Sequence, residues 1–179
     1  MGKKNARNSV LTIVYAGVCL ALALVLPFLT GQIPQIANKI SPMHIPVFIC
    51  GFSCGPVVGL IVGFIAPILR SILFGMPVMM PKAVAMAFEL AAYGFFAGLF
   101  YKTFSKKTFF IYMDLIFAMI IGRLVWGMAT FILLGITGSA FTFEAFMAGA
   151  LFNAIPGIIL HILLIPPVVI GLRRAKLID

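Results

Sequence analysis

The chain has 179 residues, 63% of them hydrophobic and 9% charged, with a formal net charge of +9. Soluble domains run at about 45–50% apolar and about 25% charged, so this composition excludes one and specifies an integral membrane protein. The positive charge does not point to nucleic acid, because nine of the thirteen basic residues fall in three clusters, each flanking an apolar run.

The first run, Val10 to Leu29, follows Lys3, Lys4 and Arg7 and leads into "TGQIPQ" without a small-x-small cleavage site, so it reads as a span rather than a removable signal. The stretch from Pro42 to Gly75, about 34 residues, is long enough for one tilted helix or two short ones. Further spans follow at Lys82 to Tyr101, Phe109 to Leu134, and Phe143 to Leu172. Charge decides the ambiguous stretch. Two crossings there put Lys102, Lys106, Lys107 and the cluster Arg173, Arg174, Lys176 on the same side as the N-terminus, as the positive-inside bias requires. The expected fold is therefore an all-α membrane bundle of six transmembrane helices with both termini cytoplasmic, in a cell membrane. It forms one domain over residues 1–179 with nothing soluble appended. The break inside the ambiguous stretch falls at "SCGP", Ser53 to Pro56, where a glycine meets a proline that lacks a backbone donor.

Three connections then face outward: Thr30 to Ser41, Gly75 to Pro81 and Gly135 to Thr142. The first is long for a passive turn and reads as a binding element, and "GMPVMMP" reads as an adaptable apolar lid or as lipid-facing filler. Cys19, Cys50 and Cys54 all lie in apolar segments, with no second ligand pair near the C-x3-C spacing, so they read as small buried hydrophobes and not as a metal site.

The segment "ISPMHIPVFICGFSCGPVVGLIVGFIAPILRSILFG", Ile40 to Gly75, resembles the substrate-binding S components of energy-coupling factor (ECF) transporters. In those proteins a short I-P-containing helix leads into G-x3-G-P-x2-G, followed by a helix that ends in a glycine-containing outer loop. The resemblance extends over essentially the whole chain. It implies a vitamin-binding membrane subunit that works with a transmembrane coupling protein and two cytosolic ATPase subunits. The chain itself carries no G-x4-G-K-[ST] loop, so active transport would draw its energy from those partners. The family's small-residue A-x3-A face on the first helix corresponds here to Gly17 and Ala21, with glycine in the first position. Small residues four apart allow close backbone approach, either by the coupling protein or by a helix of the same chain.

The resemblance also implies a substrate held in the outer half, between helices four to six. Glu89 lies roughly 10 Å below the outer end of helix four. Met86 and Tyr93 share its face. Arg123 lies roughly 20 Å along helix five, in its outer half, with Trp126 one turn on. Asn153 on helix six reaches a similar depth. An arginine at bilayer depth costs roughly 2.5–3.5 kcal/mol even on lenient scales, so Arg123 needs a partner or a ligand. Glu89, Arg123 and Asn153, with aromatic faces from Tyr93 and Trp126, make a candidate pocket. A purely structural Glu89–Arg123 pair is the other reading, and the two are compatible. His44 stands at the outer mouth of helix two, as a ligand contact or a helix cap. Arg70 is expected to snorkel to the interface, Asp114 to pair near the inner lysine cluster, and Glu144 to favour the start of helix six. His161 is placed toward the inner half of helix six, as a packing or hydrogen-bonding residue.

The function expected is capture of a small vitamin or vitamin-like nutrient carrying a ring and an acidic or zwitterionic group. Pantothenate, a pyridoxine-type vitamer and lipoate are all conceivable. No cofactor, metal or catalytic residue is called for. An autonomous carrier or channel would need a transmembrane chain of ionisable residues or internal repeats, and an intramembrane enzyme would need clustered acids, a nucleophile motif or paired histidines. The chain's four acids and two separated histidines favour neither.

Overall fold

A computed structural model describes residues 2–30, 40–104, 107–136, 138, 142–149 and 154–178, with side chains from Val10 onward. Residues 31–39 of the first outer connection, part of the Gly135 to Thr142 connection, Lys106, Asn153 and the side chains of Lys3, Lys4, Arg7 and Thr30 lie outside that description.

The elements are α1 (Gly2–Val25), continued by a 3-10 turn (Leu26–Thr30); α2 (His44–Cys54); α3 (Pro56–Phe74); a π-type turn (Met79–Ala83); α4 (Val84–Thr103); α5 (Thr108–Ile136); α6 (Phe143–Met147); and α7 (Ile155–Arg174). Among the described residues, five helical segments are long and apolar enough to cross a bilayer. The ambiguous stretch does break in two, and at the expected glycine: Gly55 has φ +89°, with Pro56 opening α3 in the position where its missing N–H costs nothing. The halves are unequal. With 11 residues, α2 is about 16 Å long, roughly half the hydrocarbon thickness, so it does not cross by itself. The last expected span, Phe143 to Leu172, is described as two pieces, α6 and α7, with residues 150–153 between them outside the description.

Helix α4 is the centre of the bundle. Its buried residues lie on all sides, among them Ala85, Ala87, Glu89, Leu90, Tyr93 and Ala97. It carries glycines where α2 and α3 cross it. A Cβ on Gly94 would come within 2.2 Å of the Gly59 carbonyl oxygen, and one on Gly63 within 2.2 Å of that of Leu90. Backbones in direct contact are how helices associate in lipid, where no hydrophobic effect drives them together. The G-x3-G-P-x2-G stretch is thus a packing seam.

The two ends of the bundle are marked by charge. The α2–α3 turn meets the C-terminal end of α4, where Lys102 Nζ approaches Gly55. At the opposite end Arg70 of α3 is 3% exposed, donates to the Leu24 carbonyl in the last turn of α1, and stacks on Phe28 and Phe74 at 4.8 and 5.3 Å. It does not snorkel. It satisfies a carbonyl that the helix end leaves open, and so pins α1 to α3. Asp114 is also buried, at 1% exposure, with Oδ1 lacking a hydrogen-bond partner, and is no surface partner of the lysines. The methionine segment presents Met76, Val78 and Met80 outward at 38–60% exposure.

Candidate functional site

Near the Arg70 end, four helices bring their polar residues together. Glu89 enters from the second turn of α4 and is 2% exposed. Its Oε1 lies 2.9 Å from Arg123 Nη1 of α5, accepts a 2.8 Å hydrogen bond from Tyr93 OH one turn along α4, and stands 3.7 Å from His44 Nε2 of α2. A carboxylate at this depth without such partners would carry its full desolvation cost, so the contacts are what allow it to be there. The i, i+4 spacing of Glu89 and Tyr93 places both on one helical face.

Tyr93 is held by shape. A Cβ on Gly122 would fall 2.2 Å from its Cε1, so α5 needs a glycine there to receive the ring, while Phe48 lies 4.7 Å away on the other side. His44 stacks on His161 of α7, the ring centroids 5.7 Å apart and the planes at 17°. His161 Nε2 also lies 3.3 Å from the Ser41 carbonyl, tying the entry of α2 to α7. His161 therefore belongs to this cluster and not to the opposite half. Depth counted from Phe143 misplaces it, because α7 begins at Ile155 and His161 is in its second turn. The signal was available in the i, i+3, i+4 run of Ile158, His161 and Ile162 on one face.

Three buried atoms of the cluster have no hydrogen-bond partner: both ring nitrogens of His44 and Nε of Arg123. Arg123 is also among the residues lining a cavity of about 360 Å³ between α5 and α7, whose surface is almost entirely apolar. Met119, Ile120 and Leu124 line it from α5, Ile158 and Ile162 from α7, and Phe146 from α6. The volume is at the small end of the range for ligand pockets.

Trp126 lies one turn along α5 from Arg123. Its ring stacks on Phe146 at 6.3 Å and 25°, and a Cβ on Gly149 would fall 2.5 Å from it. It is engaged with α6 and stands behind Phe146, which is the aromatic residue at the cavity. Tyr93 and Glu89 likewise stand behind Arg123 and do not line the cavity. Met86 packs against the apolar core. Glu144 lies in the first turn of α6, which Thr142 caps by accepting from the Ala145 N–H at 3.2 Å. On the far side of the molecule, Gly17 and Ala21 are exposed on α1, and a Cβ on Gly17 would have no atom of the chain within 4 Å. That removes the alternative in which this pair packs against another described helix of the same chain. Cys19, Cys50 and Cys54 are free thiols, and among the described residues no group of three His, Cys, Asp or Glu is disposed to hold a metal.

Among the described residues, five long apolar helical segments packed round a buried charge pair define a multi-pass membrane protein. Residues 11–169 match the family model described as ECF transporter, substrate-specific component, and the chain belongs to that family. Its members are transport proteins that bind a small-molecule substrate in the membrane. No curated protein and no solved structure matches the chain.

Proposed function

We propose that the chain is the binding subunit of an ECF-type transporter that captures a small water-soluble vitamin or vitamin-like nutrient, with Arg123 as its principal ligand contact. The observation that carries this reading is the position of Arg123. It is paired on one side with Glu89, and on the other it is the polar residue among those lining a ligand-sized cavity. Glu89 and Tyr93 hold the guanidinium in place, His44 Nε2 stands 3.7 Å from the same carboxylate oxygen, and Phe146 lines the cavity. Trp126 supports Phe146, and Asn153 completes the set from the sequence side.

In this reading the chain crosses a prokaryotic cell membrane with both termini cytoplasmic, α2 serving as a short sixth crossing with the help of the connection before it. The Arg70 end then faces outward and the Lys102 end inward, in agreement with the basic clusters. Uptake is driven by a transmembrane coupling protein and two cytosolic ATPase subunits. The exposed Gly17 and Ala21 on α1 are the surface offered to the coupling protein, since small residues four apart let a foreign helix approach closely.

The test is mass spectrometry of small molecules that co-purify with the protein, followed by a thermal-shift panel of vitamins. A ligand at a hundredfold excess over its dissociation constant stabilises the folded state by about 2.7 kcal/mol, which a thermal scan resolves. Absence of any co-purifying nutrient together with a flat panel would end this reading.

A further inference from the structure

We infer that Cys19, Cys50 and Cys54 form a thiol relay, in which a hydroperoxide that enters at Cys54 leaves a Cys19–Cys50 disulfide fastening α1 to α2. This does not depend on which ligand the chain binds. Two helices bring the sulfurs together. Cys19 of α1 and Cys50 of α2 are buried in one small cluster with Val62 of α3, and Cys54 packs against it. The Cys50 thiol is in hydrogen-bond contact with those of both Cys19 and Cys54, so it is the shared middle member. All three are free thiols.

They differ in access. Cys19 and Cys50 are 6% and 0% exposed, whereas Cys54 is half-buried as the last residue of α2, beside the Gly55 turn that Lys102 Nζ approaches. The Cys54 thiol donates a weak 3.8 Å hydrogen bond to the Thr12 carbonyl, close to Val10, where the apolar run of α1 starts. Cys19 lies further along the same helix, about 10 Å deeper. An oxidant coming from the Lys102 end therefore meets Cys54 first, and oxidation follows access.

The chemistry closes on these three residues and the oxidant. The Cys54 sulfur gives an electron pair to a peroxide oxygen and becomes a sulfenic acid, releasing an alcohol. The Cys50 sulfur attacks it, and water leaves. Residues four apart on a helix hold their Cβ atoms about 5–6 Å apart, beyond the roughly 3.5–4.5 Å of a relaxed disulfide, so this bridge is strained. Cys19 then attacks the Cys50 sulfur, and its proton passes to the departing Cys54 sulfur. In sum, two thiols and one hydroperoxide give one disulfide, one alcohol and one water. The bridge acts on α1, the least enclosed of the five long helices. Gly17 and Ala21 are exposed while Cys19 is buried, so the bond holds α1 without covering that face.

The experiment treats the purified chain in phosphatidylcholine nanodiscs with tert-butyl hydroperoxide, removes the excess, unfolds the chain in detergent and blocks remaining thiols with N-ethylmaleimide. By intact mass, three adducts before treatment should become one. Cyanogen bromide cleaves after methionine and separates Cys19, in residues 2–43, from Cys50 and Cys54, in residues 44–76. The bridge should join these two fragments, leave Cys54 as the alkylated thiol, and open in dithiothreitol. Cys50→Ser should form no link between them, and Cys54→Ser should form it several-fold more slowly. Three adducts after treatment, a bridge confined to residues 44–76, or one joining two copies of the chain overturns the proposal. So does a Cys54→Ser variant that oxidises as fast as the unaltered chain. The mapping on the unaltered chain decides the matter even where a variant fails to fold.

Discussion

Arg123 of α5 and Glu89 of α4 meet at 2.9 Å, with the carboxylate buried and the guanidinium left partly open. The asymmetry matters because the enclosed carboxylate depends on its partners more than the guanidinium does. Removing one partner of a buried pair leaves the other uncompensated, typically at about 3–5 kcal/mol. Glu89→Gln should therefore lower thermal stability by several kcal/mol, and Glu89→Gln with Arg123→Gln should cost clearly less than the two single effects added. A cycle on thermal unfolding measures this, and a coupling near zero would remove the pair from the account of stability.

The glycine seam predicts a sharp contrast within one residue type. Gly94→Ala puts a methyl group within 2.2 Å of the Gly59 carbonyl oxygen, and the backbones of α3 and α4 must separate to admit it. Overpacking of this kind costs about 1–3 kcal/mol or more. Gly171→Ala, in α7, meets nothing within 4 Å and should instead gain up to about 1 kcal/mol of helix propensity. Unfolding temperatures of the two variants check both signs. Equal effects would mean that the seam is not close-packed.

On α1 the same reasoning separates folding from transport. Gly17→Leu adds a side chain where a Cβ meets no atom of the chain, so stability and ligand affinity should be unchanged. Docking of a coupling protein on the Gly17 and Ala21 face should be lost, and with it uptake in cells. Loss of ligand binding in the purified variant would show that this face serves the chain's own fold.

The only tryptophan of the chain offers a direct reporter. Trp126 stacks on Phe146, and Phe146 lines the cavity while Trp126 does not. Ligand entry should change tryptophan emission through Phe146, and Trp126→Phe should keep ligand affinity within about threefold. Phe146→Ala should weaken binding by about tenfold or more, through lost contact and an opened cavity, on the order of 1.4 kcal/mol or more. A titration in which the tryptophan variant loses most affinity would restore Trp126 as a direct contact.

The membrane class, the helical architecture and the break at Gly55 were legible without coordinates, because they depend on local quantities. Apolar run length and the backbone limits of glycine and proline are properties of a segment by itself. The meeting of Glu89, Tyr93 and Arg123 was legible too, since each depth follows from counting along a helix whose ends are marked. What needed the tertiary structure was every feature set by where a helix begins or which way it is rotated. His161 joins His44 because α7 starts at Ile155 and not at Phe143. Arg70 turns inward because the end of α1 presents an open carbonyl beside it. Trp126 meets Phe146 because α6 packs on α5 at Gly127. Composition and periodicity specify that a face is apolar; only the packed neighbour determines whether that face becomes wall, seam or cavity.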